Sequence, residues 1–312
     1  MKVHDRRFQS IRLAARGFWL QNSIMPLDAR SRAVAVWVTT TFAMLAFAGN
    51  SLLCRVALKD TGIDPASFTT IRLASGALVL WLIVRSRRAG ARPLGSWPSA
   101  LALFAYAAGF SYAYISLTAA TGALLLFGAV QATMISWGLW HGERLAAMQV
   151  TGLLVALVGL VGLVLPGLSA PPLAGALLML GAGVAWGVYS LRAKGSGDPT
   201  QATAGNFLRA APLAVALSLL TMTQARVDMA GAIYAALSGA VASGLGYAIW
   251  YTALRGLRTT TASTVQLSVP VIAAIGGVLW LGEPLSLRLI AASVAILGGI
   301  ALVISCKKPS TP

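Results

Sequence analysis

The sequence predicts an all-α polytopic membrane protein with ten transmembrane helices, arranged as two inverted five-helix repeats. Of its 312 residues, 57% are hydrophobic and only 10% are charged, whereas a soluble protein carries about 25% charged residues. Apolar stretches of the length that crosses a bilayer, about 20 residues, recur along the chain. In addition, the phrase Gly-Glu-x-Leu occurs at 142–145 and again at 282–285, each time before an apolar run. Repetition at a long fixed offset indicates two copies of one unit.

The chain begins with a basic leader, residues 1–32. Two interpretations of it are open: an amphipathic helix lying on the membrane surface, or a leader without fixed structure. Ala46-Phe47-Ala48 resembles a signal-peptidase site. Because the apolar run around it continues to spanning length, we expect an uncleaved first span.

Ten predicted spans follow, joined by short connections, so neighbouring helices are antiparallel. We assign the first repeat to 33–166, the second to 172–305 and a short tail to 306–312. The spans are predicted at 33–54, 65–84, 98–117, 120–140, 147–165, 172–192, 200–222, 231–254, 259–281 and 286–305.

Lysine and arginine determine the predicted orientation. Eighteen of the 24 fall on the side of the membrane that carries both termini, four fall on the other side, and Arg72 and Arg209 lie inside spans. The positive-inside rule therefore places both termini in the cytoplasm, with the protein in the inner or plasma membrane. Five spans per repeat is an odd number, so the second copy is inverted. Inverted repeats are typical of secondary transporters, whose substrate site lies near the membrane midplane.

Residue matches at an offset of 137 also support the repeat: Arg55 with Arg192, Arg72 with Arg209, and Tyr114 with Tyr251. Ten spans, an arginine in the second span of each half and Gly-Glu-x-Leu before each fifth span resemble EamA-type members of the drug/metabolite transporter superfamily. The resemblance covers residues 35–305. It implies a transporter of small solutes, often an exporter of amino acids or other metabolites, with a central cavity between the halves.

The chain departs from the family pattern in its fourth span. A proline common in such helices is present at Pro270 of the ninth span, whereas the corresponding position of the fourth span has Val130-Gln131. We therefore do not expect a symmetric hinge at this level.

The acidic residues and histidines argue against several kinds of chemistry. None of the eight acids lies in the middle of a span, and His4 and His141 lie in the leader and at a membrane edge. A midplane carboxylate is the usual proton relay or cation ligand of a coupled transporter. No phosphate-binding loop and no Cys/His cluster occur in the sequence, so we expect no cofactor, no metal, no ATP-driven step and no enzyme activity.

Uncharged amides and aromatic residues inside the spans are the candidates for a substrate cavity, because such amides are costly against lipid and aromatic rings suit organic solutes. Some of the tryptophans and tyrosines have a second interpretation as anchors at the membrane interface. The candidate cavity residues are Asn50, Tyr106, Tyr114, Gln131, Trp186, Tyr189, Tyr247, Trp250 and Gln266.

Four charged residues are predicted to be gating or structural. Arg72 and Arg209 either cap carbonyls of neighbouring helices, act at a gate or anchor an anionic group of the substrate. Glu143 and Glu283 precede helices at opposite membrane faces, where an acid is stabilised by the helix dipole. For them we expect helix capping and a salt bridge between repeats, with a role in closing each side.

The function that we expect is a secondary transporter or facilitator, with export favoured, of a small organic metabolite such as an amino acid or a related compound. Alternating access between the inverted repeats would provide the mechanism. The alternatives are a membrane-embedded enzyme, a passive pore and a non-transporting scaffold. The expected partners are a small solute and the lipid bilayer, not nucleic acid; a monomer and a homodimer both remain open.

Overall fold

The computed structural model describes the backbone of residues 29–87, 94–142, 144–165, 167, 170–193, 198–257, 262 and 265–305. The predictions for the tail at 306–312 and for most of the leader at 1–32 lie outside these residues. Packing divides the chain into two units, Met1–Val38 and Thr39–Pro312. The helices described below belong to the second unit, except for the residues of the first helix up to Val38.

The described chain is helical and contains no strand. It includes a short 3-10 turn at Met222–Gln224. The helices are α1 (Ala29–Asp60), α2 (Pro65–Arg87), α3 (Trp97–Tyr114), α4 (Ala119–Trp140), α5 (Ala147–Val164), α6 (Leu173–Ala193), α7 (Pro199–Leu220), α8 (Met229–Leu254), α9 (Ser268–Leu281) and α10 (Leu287–Ser305).

Eight of these described helices are long and apolar enough to cross a membrane; α3 and α9 are the two that do not meet that standard. The chain is therefore a multi-pass, all-helical membrane protein. Two helix ends differ from the prediction by more than five residues: α1 continues past residue 54 to Asp60, and α9 begins at Ser268 instead of 259.

The late start of α9 has a local cause. Ala262, Val265 and Gln266 are helical, but the chain turns at Leu267 before α9 begins. Pro270 lacks an amide hydrogen, and its ring clashes with the carbonyl of the residue four positions earlier, which is Gln266. In contrast α4, which has Val130 at the corresponding position, is continuous.

The helix α4 occupies the centre of the bundle. Every residue from Ala119 to Gln131 is buried, and α4 packs against α3, α5, α6, α9 and α10. In α5, by comparison, only Gln149, Gly152, Gly159 and Leu163 are buried. Many of the other apolar residues of α5, such as Leu154, Leu157 and Val158, are exposed, as expected for a helix in contact with lipid.

Small residues allow the closest helix contacts. Where α5 crosses α10, a Cβ added to Gly152 would lie 2.6 Å from the carbonyl oxygen of Gly299. Where α8 crosses α2, a Cβ on Gly239 would overlap the carbonyl oxygen of Arg72. Glycine is required at both crossings because any side chain would force the backbones apart.

The middle of α8 is a π-helix, Ser238–Leu245, between α-helical segments. It contains Gly239 at the crossing with α2, and Ser75 of α2 donates a hydrogen bond to the carbonyl oxygen of Ala236 just before it. Insertions of this type are rare and are found frequently at functional sites.

Side-chain contacts identify the two faces of the bundle. At one face, which we call the Glu283 face, Arg55 near the end of α1 meets Glu283 before α10. The other face, which we call the Ser99 face, has Ser99 at the start of α3 near Arg192 at the end of α6. Even-numbered helices therefore begin at the Glu283 face and end at the Ser99 face.

Candidate functional site

A cavity of about 340 Å³ lies inside the bundle, among α1, α3, α4, α6 and α8. Its volume falls in the range of ligand pockets, about 300–1,000 Å³. It extends from Ser51 and Phe110 in the interior to Pro199, Leu257 and Ala262, which lie towards the Ser99 face.

Eight of the nine candidate cavity residues lie on its wall. They come from α1, α3, α4, α6, α8 and the helical residues before α9, and are therefore far apart in sequence. They are Asn50, Tyr106, Gln131, Trp186, Tyr189, Tyr247, Trp250 and Gln266.

Tyr114 is the exception, and its prediction as a cavity residue is corrected. Its side chain is completely buried, and its hydroxyl donates to the carbonyl oxygen of Ala119 at 3.3 Å. The ring lies against Gly122, where even a Cβ would clash with it. Tyr114 therefore fills the contact between α3 and α4 instead of lining the cavity.

Aromatic rings form one wall of the cavity around Trp186. Its ring centroid is 4.8 Å from that of Tyr106, and it stacks on Tyr189 at 5.2 Å and on Tyr247 at 5.3 Å. Tyr247 also contacts Phe47 of α1, with centroids 5.7 Å apart. Contacts of this kind stabilise each pair by about 0.5–1.5 kcal/mol beyond area burial. The cluster holds a rigid, largely apolar surface.

The other side of the cavity carries uncharged polar groups. Gln131 projects from the central helix α4, and Gln266 lies just before the turn that precedes α9. Their amides supply both hydrogen-bond donors and acceptors. A mixed wall of aromatic faces and amides suits an organic solute that has apolar and polar parts.

The cavity is also lined by three serines that the sequence analysis did not identify: Ser51, Ser190 and Ser243. Ser243 is 1% exposed, and its hydroxyl has no hydrogen-bond partner among the described residues. The sequence indicates Ser243 only as a polar residue within the apolar stretch of α8. Nothing in the sequence indicates the π-helix that directs its side chain towards the cavity.

Next to the aromatic wall, a chain of hydrogen bonds joins four helices. Ser238 donates to Oδ1 of Asn50 at 2.7 Å, and Nδ2 of Asn50 donates to the hydroxyl of Tyr106 at 3.3 Å. The same hydroxyl accepts from Nη2 of Arg72 at 2.9 Å. The chain therefore links α8, α1 and α2 through Tyr106 of α3.

Arg72 is 1% exposed, and its guanidinium lies over the rings of Phe110 and Tyr106, 4.8 Å and 5.1 Å from their centroids. Its Nε and Nη1 have no hydrogen-bond partner in the described part of the chain. Arg209 has a different environment: its Nη1 donates to the carbonyl oxygens of Gly205 and Leu94, at 2.9 Å and 3.4 Å. Arg209 thus caps backbone, whereas Arg72 lies next to the cavity wall.

The helix caps explain why the two arginines differ. Asp64 accepts from the backbone amides at the start of α2, and Asp198 does the same for α7; a proline follows each aspartate. These caps are 134 positions apart, not 137. Counted from its cap, Arg209 lies three residues deeper than Arg72, or about 4.5 Å along the helix. The 137-residue match therefore does not place the two side chains at one level.

A buried ion pair lies at the Glu283 face, beyond the cavity. Nε of Arg55 is 3.0 Å from Oε1 of Glu283, whose Oε2 accepts from the amide of Ala119 at 2.8 Å. Nη1 of Arg55 donates to the carbonyl oxygen of Tyr114 at 2.9 Å. One carboxylate therefore connects the end of α1, the turn before α4 and the start of the segment leading to α10.

At the Ser99 face, the structure describes only one of the two corresponding residues. Arg192, which matches Arg55 at an offset of 137, donates to the hydroxyl of Ser99 at 3.2 Å. Glu143, which matches Glu283, lies outside the described residues, so the prediction that it has a gating or structural role stays a prediction.

A second contact at the Glu283 face lies outside the membrane-spanning helices. The amide of Arg226 donates to Oδ2 of Asp64 at 2.9 Å, and the amide of Asp64 donates back to the carbonyl oxygen of Arg226 at 2.8 Å. Partial burial of Asp64 raises its pKa, but hydrogen bonds from Ser67, Arg226 and Ala66 outweigh this effect, so the net pKa of its carboxyl is lowered.

Neither acids nor metal ligands are gathered at the site: none of the described residues that line the cavity is acidic, and the described residues contain no cluster of three or more metal-ligating side chains. The cavity wall consists of aromatic surface, amides and hydroxyls, and the positive charge of Arg72 lies behind Tyr106.

Comparison with known proteins agrees with this arrangement. The model of the EamA-like transporter family matches residues 173–305. The chain is 60% identical over 267 residues to an uncharacterized protein of Pseudomonas aeruginosa, covering 85% of this chain and 93% of that protein. It is 26% identical over 275 residues to a protein of Streptantibioticus cattleyicolor named as a probable terminal-alkyne amino-acid exporter, covering 85% and 91%.

A solved crystal structure has the same fold, with a TM-score of 0.61 at 20% identity over 86% of this chain and 97% of that one. A 26% identical protein of Archaeoglobus fulgidus is described as an uncharacterized transporter, with coverage of 74% and 84%. The fold, the cavity and these relatives lead to one assignment: the chain is a membrane transporter that belongs to the EamA-like transporter family.

Proposed function

We propose that this protein is a secondary transporter that exports a small organic metabolite, such as an amino acid or a related compound, by alternating access. The observation that carries the proposal is the internal cavity. It is walled by aromatic rings and uncharged amides, and the buried ion pair between Arg55 and Glu283 lies between it and one face of the bundle.

The mechanism that we propose uses two inverted repeats, α1–α5 and α6–α10, in which α3 and α9 complete ten spans. Helix contacts support it because they recur when the helix number is shifted by five. The contacts α2–α7, α4–α9 and α5–α10 map onto themselves. The contact α3–α6 maps onto α1–α8, where Phe47 meets Tyr247, and α4–α6 maps onto α1–α9, where Leu52 meets Gly276.

In the conformation of this structure, the cavity extends towards the Ser99 face. By the positive-inside rule, that face is cytoplasmic, because it receives the larger share of lysine and arginine. A solute would enter from the cytoplasm, and rocking of the halves would then close the Ser99 face and separate Arg55 from Glu283. The relative named as an amino-acid exporter favours the same direction and solute class.

Counterflow in reconstituted vesicles tests this function. Vesicles loaded with a panel of unlabelled amino acids and related metabolites should accumulate labelled solute for at least one member, and the rate should saturate. The variant Gln131→Ala removes a cavity amide and should weaken the apparent affinity at least threefold. Gln224→Ala, in the exposed 3-10 turn, is the matched control. Solute flux that does not saturate would indicate a pore, and absence of any flux over the panel would contradict the proposal.

A further inference from the structure

The charge of Arg72 is not balanced by any acid in the described part of the chain. An arginine keeps its proton in a protein, so burial does not neutralise it as it would a lysine. Cation–π contacts with Tyr106 and Phe110 compensate part of the cost. Two of its three nitrogens, Nε and Nη1, still have no hydrogen-bond partner among the described residues. A buried cation in this condition favours a nearby anion.

The positive charge of Arg72 lies directly behind the cavity wall. Both rings under the guanidinium, those of Tyr106 and Phe110, line the cavity. The hydroxyl of Tyr106 accepts from Arg72 and from Asn50. Because both of its acceptor positions are used, its own proton is left to donate to a group in the cavity.

A second unused donor lies near the same end of the cavity. Ser243 lines it, is 1% exposed, and its hydroxyl has no partner in the described chain. In a π-helix, residues five apart lie one turn apart, so Ser243 lies one turn from Ser238. Ser238 joins the same hydrogen-bond chain through Asn50. The cavity therefore has an end with two free hydroxyl donors and a positive charge behind them, which we call the donor end.

We propose that the donor end binds the carboxylate of the transported solute, so that the solute class is organic acids, including amino acids recognised through their carboxyl group. This inference rests on the proposed transport function. The ring cluster around Trp186 would hold the organic part of the solute. None of the described residues that line the cavity is acidic, so an organic cation finds no counter-charge among them and is repelled by Arg72.

Matched triads of ligands test the proposal. Each triad has one carbon skeleton in three forms, such as phenylacetate, phenylacetamide and 2-phenylethylamine, with branched and linear aliphatic triads beside it. Equilibrium dialysis with the purified full-length protein in detergent at constant ionic strength measures each Kd. In the triads that bind, the acid should bind at least tenfold more tightly than its amide and its amine. A preference for any amide or amine over its acid would overturn the proposal.

A chloride arm separates an organic carboxylate from an inorganic anion. Replacing gluconate by chloride at equal ionic strength should change the Kd of the preferred acid less than twofold. Displacement of that acid by millimolar chloride would show a site for small inorganic anions and would overturn the proposal.

Variants of the donor end assign the effect to its residues. Arg72→Gln should weaken binding of the acid at least tenfold, and Ser243→Ala should weaken it at least threefold, while binding of the matching amide changes less than twofold in both. Arg209→Gln, which removes the arginine that caps backbone outside the cavity wall, should leave the preference for the acid intact. Should Arg72→Gln fail to fold, Ser243→Ala and Tyr106→Phe decide the matter, and an unchanged acid preference in both would overturn the proposal.

Failure of this inference is distinguishable from failure of the transport function. Saturable counterflow of neutral or cationic solutes together with rejection of every acid would leave the transporter standing and remove the carboxylate site. Absence of both binding and flux for all members of all triads and of the metabolite panel would remove both.

Discussion

Arginines that match between the two repeats make different contacts at the two faces of the bundle. At the Glu283 face, Arg55 is buried in an ion pair with a carboxylate, which also accepts a backbone amide. At the Ser99 face, the matching Arg192 donates to a neutral hydroxyl and is itself exposed. A charged, desolvated contact is stronger than a hydrogen bond to a hydroxyl in water. Of these two contacts, the stronger one therefore lies at the Glu283 face.

The same comparison explains why the repeated Gly-Glu-x-Leu phrase matters although it does not line the cavity. Gly282 has φ of +60°, a conformation that other residues adopt at a cost, and it turns the chain so that Glu283 points back to Arg55. The phrase positions an acid at the end of a helix for a contact with α1. In the proposed mechanism this contact closes a face, and the solute is recognised in the cavity, whose lining does not include Glu283.

The largest expected effect comes from breaking the ion pair. Glu283→Gln leaves Arg55 buried without a counter-charge, which costs about 3 kcal/mol. We expect the Tm in detergent to fall by several degrees and the counterflow rate to fall at least tenfold, because the closed Glu283 face loses its main contact. Thermal unfolding and vesicle counterflow measure the two effects.

Arg192→Gln is the control for this variant because it changes the matching residue at the other face. Its exposed hydrogen bond to Ser99 is expected to contribute less than about 1 kcal/mol. Equal losses of Tm in Glu283→Gln and Arg192→Gln would contradict the difference between the two faces.

The next effect concerns the cavity between the faces. Trp186 contacts three other rings on its wall, so Trp186→Leu should raise the half-saturating solute concentration in counterflow about tenfold. Trp280→Leu is the matched control, since Trp280 is 76% exposed on the outside of the bundle. A similar change in both variants would mean that the aromatic cluster does not contact the solute.

Much of this architecture was predictable from the sequence because membrane helices carry a strong signal. The apolar stretches located the spans, and eight of the nine residues predicted for the cavity lie on its wall. That agreement has a physical basis: an amide such as Gln131 is costly against lipid, so it is placed facing the interior. The break before α9 was not predicted, since the ninth span was expected to begin at 259, although Pro270 gives a physical reason for it.

Other features depended on contacts between distant segments. The sequence offset aligned Arg72 with Arg209, but the helix caps set the level of each helix, and they are spaced differently. Tyr114 has the composition of a cavity residue, yet a glycine on α4 receives its ring. Ser243 joins the cavity through a π-helix. None of these relations can be derived from the periodicity of one segment.

A smaller effect, dependent on pH, is expected from Asp64 at the Glu283 face. Its carboxyl has a folded-state pKa below the ordinary 3.8 because amides of Ala66, Ser67 and Arg226 donate to it. The stability that it contributes is therefore fully present above pH 3.8 and is lost as the pH falls through the lower folded-state value.

Asp64→Asn removes the charge while keeping an acceptor. At pH 7 we expect the variant to unfold about 2 °C below the wild type, and the two proteins should converge as the pH is lowered below 3.8. Thermal unfolding at a series of pH values measures the difference. A gap that stays constant down to pH 2.5 would show that the charge of Asp64 is not what stabilises the link to Arg226.

The smallest effect separates the two tyrosines of α3 and tests the corrected position of Tyr114. Tyr114→Phe keeps the ring against Gly122 and loses one hydrogen bond of 3.3 Å, so the free energy of unfolding should fall by about 1 kcal/mol or less. Solute affinity should not change, because the side chain does not face the cavity.

Tyr106→Phe, two turns earlier on the same helix, should weaken affinity at least threefold in the same counterflow measurement, because it removes a hydroxyl from the cavity wall. If Tyr114→Phe weakened affinity as much as Tyr106→Phe, the cavity would have to reach the Glu283 face, and the difference between the two faces would no longer hold.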